Sequence, residues 1–209
     1  MSFKFFNIVL IFTFVVNSLI AQEVEEIISV ASYIKSSELD ASPVDVISAE
    51  EFKNLRVSTV AELSKYLSVA SGSHFQTNAL DGVDQGMSAI TLRGLDHAST
   101  LVLINKKRQT HAGTPSHEGE GYIDVNIIPE IALNRIEILK DGATSLYGSD
   151  AVAGVINFQT YKKFNGLRVA FGSQKTTNYD QKDSSVGALL GGDAFGGNYV
   201  FALSTLNKS

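Results

Sequence analysis

Imidazole and carboxylate groups, both ligand types for divalent transition metals, are concentrated in residues 109–121, QTHAGTPSHEGEG. His111, His117, Glu118 and Glu120 all lie there. Their spacing fits neither one face of a helix nor a turn-based ligand motif, and glycine and proline interrupt the stretch. The expectation is a solvated polar loop with no metal and no cofactor. Long loops of this kind are where binding surfaces occur. His74 and His97 have no evident partner. Elsewhere the chain offers no phosphate-binding glycine loop, nucleophile elbow, zinc-binding helix or acid/base pair, which argues against an enzyme. Cysteine is absent, so disulfide frameworks and thiolate metal sites are excluded. The formal charge is −5 over 209 residues, which disfavours a nucleic-acid partner.

The elements that must position this loop start after a leader. In residues 1–21 Lys4 is the only charge, residues 8–16 are almost wholly apolar, and Ala21 puts a small residue at the cut. This is the pattern of a secretory signal peptide, too short and wrongly flanked for a membrane span. Its removal takes away Lys4 and leaves a charge of −6. The rest suffices for one modest domain with a real core. Residues 22–41 are acidic, then β-prone at Glu26, Ile27, Ile28, Ser29 and Val30, then linker-like. Such a segment either forms a first strand or adds itself to the sheet edge of another protein.

Residues 42–47 read as a strand with Pro43 near its start. Ser48 and Glu51 form a capping box, and Thr59 with Glu62 repeats the device. Phe52 and Leu55 share a side of the first short helix; Val60, Leu63 and Leu67 follow at helical spacing in the second, with Tyr66 beside them. These stripes are core, not a cofactor site. Residues 72–86 are a polar surface loop, residues 90–95 a strand with a glycine exit, and residues 101–104 an apolar strand covered on both faces. Asn105 and Lys106 turn the chain back, and Pro129 opens a short helical entry to the next strand.

Residues 134–160, NRIEILKDGATSLYGSDAVAGVINFQT, organise the rest. Ile136 and Ile138 share one face of a strand, Arg135 and Glu137 the other. A glycine-containing turn and about one helical turn over residues 143–147 follow. Gly148 is a left-handed stop, residues 151–154 are small enough for close backbone approach, and residues 155–158 form a returning strand. After Asn165, residues 167–172, 186–190 and 199–206 are β-prone and separated by glycine-rich turns. Leu167, Val169 and Phe171 alternate, as do Tyr199, Phe201 and Leu203, the dyad pattern of transmembrane barrel strands.

The run RIEILKDGATSLYGSDAVAGVIN resembles the end of the plug domain of TonB-dependent outer-membrane receptors. The likeness extends over roughly residues 25–166 through PVDVISAEE, ITLRG and LVLI. It departs at Asn105-Lys106, where the family has D-G, and at residues 157–161, where it has N-I-I-T-K. The resemblance implies an α+β fold: a small mixed β-sheet plug with short helices, then the start of an antiparallel transmembrane β-barrel. The organisation is then a leader at 1–21, a TonB-box segment and linker at 22–41, a plug at 42–165 and first barrel strands at 166–209.

Further expectations follow from the resemblance. Glu26 to Val30 are similar to the TonB-binding box. Arg93 and Lys140 match basic residues that face acidic groups on the inner barrel wall; Lys140 stands where arginine is commoner and gives up its planar fork. His111, His117, Glu118 and Glu120 are candidate contacts to a small-molecule or metal-chelate ligand at the outward apex. Partners are the TonB periplasmic domain, the outer membrane and the receptor's own barrel. The function is energised uptake of an iron-siderophore, cobalamin, haem or oligosaccharide. Twenty-two spanning strands need at least about 200 residues, and 44 follow Asn165. The expectation is a fragment of a receptor, or alternatively a free periplasmic interaction module or a truncated remnant.

Overall fold

A computed structural model describes residues 44–57, 59–73, 86–116, 119–175, 182–194 and 196–208. The leader and Pro43 lie outside the described residues. A five-stranded sheet has the order β1-β4-β5-β2-β3, and a separate three-stranded sheet has the order β6-β7-β8. The strands are β1 (Val44–Ser48), β2 (Thr100–Ile104), β3 (Lys107–Arg108), β4 (Leu133–Leu139), β5 (Gly154–Thr160), β6 (Gly166–Lys175), β7 (Lys182–Ala194) and β8 (Gly197–Lys208). β2 and β5 are parallel; every other pairing is antiparallel. The first sheet is therefore mixed.

β5 is central and takes its place through one close approach. Gly154 sits at φ +141°, and a Cβ there would lie 2.4 Å from the Leu139 carbonyl oxygen. Its small-residue run is thus a steric requirement for pairing β5 with β4. On one face Ile136, Ile138, Ile156, Phe158 and Val102 meet Phe52, Leu63, Leu92 and Val125 in the main core. On the other Leu101, Leu103, Leu139 and Val155 meet Ala143 and Ala151. The run 101–103 is buried on both sides, as its continuous apolarity predicts.

Ser48 caps helix α1 (Ala49–Asn54) with the full reciprocal box: the Glu51 N–H donates to Ser48 Oγ at 3.2 Å, and the Ser48 N–H to Glu51 Oε2 at 2.8 Å. The second device is half of one. Thr59 Oγ1 accepts from the Glu62 N–H at 3.4 Å, the Glu62 carboxylate turns to Lys65, and Val60–Tyr66 is a 3-10 helix. After α2 (Thr144–Tyr147), Gly148 has φ +83° with ψ −170°, an extended glycine conformation rather than the left-handed helical one. Asn105 and Lys106 both take positive φ in the tight β2–β3 hairpin, the primed-turn geometry.

Residues 90–95 are not a strand. Their amides are satisfied individually: Thr91 N–H donates to Ser73 Oγ, Leu92 N–H to Thr100 Oγ1 and Arg93 N–H to the Val69 carbonyl. Ile90 and Leu92 are buried without a ladder, and Arg93 turns to φ +60°.

In the second sheet, register aligns Leu167, Val169 and Phe171 with Leu190, Ala188 and Val186, and these with Phe201, Leu203 and Thr205. One face is thereby apolar and open: Phe171 is 79% exposed, Phe201 73% and Leu203 72%. On the other face Gly187 seats Ile131 and the Glu130 carboxylate, tying this sheet to the first, and Leu189 is fully buried.

Gly154→Ala should cost about 3 kcal/mol or more through overpacking. Gly86→Ala, with φ +84° but nothing within 4 Å of a Cβ, should cost only the about 1–2 kcal/mol of a left-handed residue. Urea denaturation of the two variants checks this.

Candidate functional site

Three ion pairs gather at the sheet end formed by the start of β1, the end of β4 and the starts of β5 and β2. Lys140 Nζ lies 2.7 Å from Asp45 Oδ2, and Arg93 Nη2 lies 2.9 Å from Asp141 Oδ1. Arg108 bonds the Asp150 carboxylate and the Tyr147 carbonyl. Arg93 reaches this place because its backbone turns at positive φ just before Gly94, another positive-φ residue. Its partner Asp141 is next in sequence to Lys140, so the two basic residues predicted to act together do share one surface. Each already has a carboxylate partner at this sheet end. All four side chains are partly open, from 31% exposed at Lys140 to 51% at Asp141, so each pair stabilises by no more than about 1 kcal/mol.

His111 lines a shallow cleft of about 40 Å³ together with Arg108, Gln109, His97, Tyr122 and Asp150. That is room for a few waters. Its ring covers Gly121, where a Cβ would lie 2.4 Å from Nδ1. Glu120 is half-buried in a turn: its N–H donates to Ser116 Oγ at 3.2 Å, and its carbonyl accepts from the Ser116 N–H at 2.9 Å. His117 and Glu118 lie outside the described residues, as do Glu26, Ile27, Ile28, Ser29, Val30 and His74. Among the described residues no three His, Cys, Asp or Glu side chains converge as metal ligands. Thr110, His111, Gly113, Thr114, Pro115 and Gly119 are exposed, as the composition predicts, while Ser116 is buried and the Ala112 N–H donates to the Tyr122 carbonyl. The hydrogen bond from Arg108 holds the Asp150 carboxyl below the usual aspartate value, with smaller help from Ser149 and His111.

Sequence periodicity alone misses a buried polar cluster. Glu137 is fully buried; its carboxylate accepts from Gln159 Nε2 at 2.6 Å and Asn157 Nδ2 at 3.1 Å, and Arg135 Nη2 lies 2.9 Å away. Asn157 Oδ1 in turn accepts the Lys106 N–H at 2.9 Å. The period-two pattern reads Arg135 and Glu137 as a polar face and predicts nothing of its cover. The missed signal is Asn157 and Gln159, amides at two-residue spacing on an otherwise apolar strand, which pair with Glu137 and Arg135 across the ladder.

A family model described as "TonB-dependent Receptor Plug Domain" matches residues 38–155. The vitamin B12 transporter BtuB of Vibrio vulnificus is 29% identical over 156 residues, 68% of this chain and 24% of that protein. The iron-regulated outer membrane virulence protein of Vibrio cholerae is 31% identical over 137 residues, 65% of this chain and 20% of that protein. Among solved structures, the ferric enterobactin receptor PfeA of Pseudomonas aeruginosa matches with a TM-score of 0.62 and 21% identity, over 81% of this chain and 25% of that one. The siderophore receptor PirA of Acinetobacter baumannii matches with a TM-score of 0.55 and 26% identity, over 79% and 24%. The chain thus spans about a quarter of the length of the proteins it matches.

Glu137→Ala should destabilise the sheet by about 3–5 kcal/mol, because it removes the buried carboxylate that Arg135, Asn157 Nδ2 and Gln159 Nε2 share; urea denaturation measures it. For Asp150 the folded pKa is depressed. Its contribution is therefore present above the ordinary value of 3.8 and is lost as pH falls through the folded value. Asp150→Asn should flatten that part of the acid-denaturation curve, an effect a pH titration of unfolding would detect.

Proposed function

The chain belongs to the TonB-dependent receptor plug-domain family, and from that premise we propose that it is the pore-closing plug and first wall strands of an energised outer-membrane importer. The observation that carries this reading is the junction of two sheets of opposite character. A mixed sheet buried on both faces runs, through residues 161–165, into an antiparallel sheet with an apolar outer face. In water that face is a liability; in a bilayer it is the expected surface of a barrel wall. The same face weighs against a free periplasmic module.

In this reading the first sheet closes the pore, and Glu26 to Val30 add as a strand to the sheet edge of TonB, which displaces the plug mechanically. We assign residues 1–21 to export, 22–41 to the TonB box and linker, 42–165 to the plug and 166–209 to the wall. Arg93 and Lys140 exchange Asp141 and Asp45 for carboxylates on the inner wall. Once such a pair is shielded from water, removing one partner strands a charge and costs more than at the exposed pairs here. The loop carrying His111, His117, Glu118 and Glu120 faces the ligand, with Arg108 and Gln109 beside it. By likeness to relatives named for vitamin B12, iron regulation and ferric enterobactin, the cargo is a metal-bearing small molecule, cobalamin or an iron chelate.

The test is the size and location of the native polypeptide, detected with an antibody to the plug. A urea-resistant band several times larger than 22.5 kDa in the outer-membrane fraction is the expected result. A band of that mass in soluble periplasm overturns the importer reading. In the complete receptor, Arg93→Ala combined with Lys140→Ala should lower cargo uptake and expose the plug to protease. Unchanged uptake and protection would remove the wall contacts from the proposal.

A further inference from the structure

Residues 161–165, where the first sheet becomes the second, are held in an unequal way. On the plug side the tie is one backbone bond, from the Tyr161 N–H to the Ala132 carbonyl at 3.0 Å. On the wall side a single side chain, Asn198 of β8, treats Phe164 as a neighbouring strand would. Its Oδ1 accepts the Phe164 N–H at 3.2 Å, and its Nδ2 lies 3.4 Å from the Phe164 carbonyl oxygen. The same Nδ2 lies 3.0 Å from both Asn165 Oδ1 and Asp193 Oδ1, and Asn165 Nδ2 donates to Asp193 Oδ2 at 3.1 Å. Asp193 of β7 and Asn198 are cross-strand partners, so both groups are set by the hairpin itself.

Two further features close the grip. Gly191 of β7 has no Cβ, and one placed there would lie 2.3 Å from the Phe164 carbonyl oxygen. The linker therefore lies against the wall backbone at contact distance. From β6, the Arg168 guanidinium stacks over the rings of Tyr161 and Phe164 at 5.3 and 5.2 Å and donates to Tyr161 Oη at 3.1 Å. Between the plug tie and the wall grip stand Lys162 and Lys163, both exposed.

We propose that β7–β8, through Asn198, Asp193 and Gly191, is the fixed anchor of the plug, with Lys162 and Lys163 as the boundary at which plug movement stops. The inference rests on the plug-and-wall reading and adds positioning residues to it. Displacement of the plug carries Tyr161 away with Ala132, breaks its contact with the Arg168 guanidinium and leaves Phe164 on the wall. The wall hairpin thus keeps its register while the sheet before it moves.

Native-state amide exchange of the full-length receptor in detergent micelles, at increasing sub-denaturing urea, separates cooperative opening groups. The Tyr161 amide is expected to open with β4 and β5, and the Phe164 amide with β6 to β8. Asn198→Ala should speed Phe164 exchange about five- to tenfold, as expected for one lost net hydrogen bond, and move it into the plug group. Asn198→Ser, a milder change, should do so partly. The anchor is overturned if Phe164 and Tyr161 open together in the unsubstituted receptor while the plug and wall strands open as separate groups, or if Phe164 stays with the wall in both variants. If plug and wall strands open as one group throughout, the plug-and-wall reading fails instead, and that outcome is distinct.

Discussion

β5 has to lie between β4 and β2, antiparallel to one and parallel to the other, and it gets there by passing Gly154 against the Leu139 carbonyl. The contact sets the β4–β5 register, and much else follows from it. Glu137 stands opposite Asn157 because of that register, so a buried carboxylate finds amide donors. The loop between the two strands is reversed tightly enough to put Lys140, Asp141 and Asp150 on one sheet end. Arg93 and Arg108 then arrive from segments flanking β2. The candidate site is thus built by loops, yet its geometry is fixed by a backbone contact between two strands.

Much of this was legible in the residues, for identifiable reasons. Apolar period and β-branched content located β2, β4 and β5 because their apolar residues run continuously or alternate along the chain. The capping box at Ser48 was legible because both of its partners are local. Residues 90–95 were not, since Ile90, Leu92 and the glycine exit imitate a strand while the amide partners lie at Ser73, Thr100 and Val69. The Glu137 cluster escaped for a related reason: its donors sit on another strand, and only a known register reveals them. The polar loop from Gln109 onward is largely exposed, as its composition says, but composition does not report that His111 lies on Gly121.

The ionic groups divide into two kinds by burial, and the division bears on what each can do. Glu137 and Arg135 are withdrawn from water and held by several partners, so any change of partner is heavily penalised. Arg93, Lys140 and their aspartates keep much of their hydration, and little is lost when such a pair separates. A group that must shift between partners belongs to the second kind. Arg93 and Lys140 do, and both lie on one surface, which supports the wall contacts proposed for them.

β7 carries Gly187, Gly191 and Gly192 within a stretch that must be a long strand. Glycine loses the most backbone freedom on ordering and offers no side chain to pack, so this strand is weak by itself. Its support comes from outside: Ile131 occupies the space over Gly187, and the Phe164 carbonyl lies over Gly191. The consequence is a narrow tolerance: a side chain at Gly187 would crowd Ile131, and one at Gly191 would push away the Phe164 carbonyl, so the residues that weaken the strand are also the ones that let it be seated.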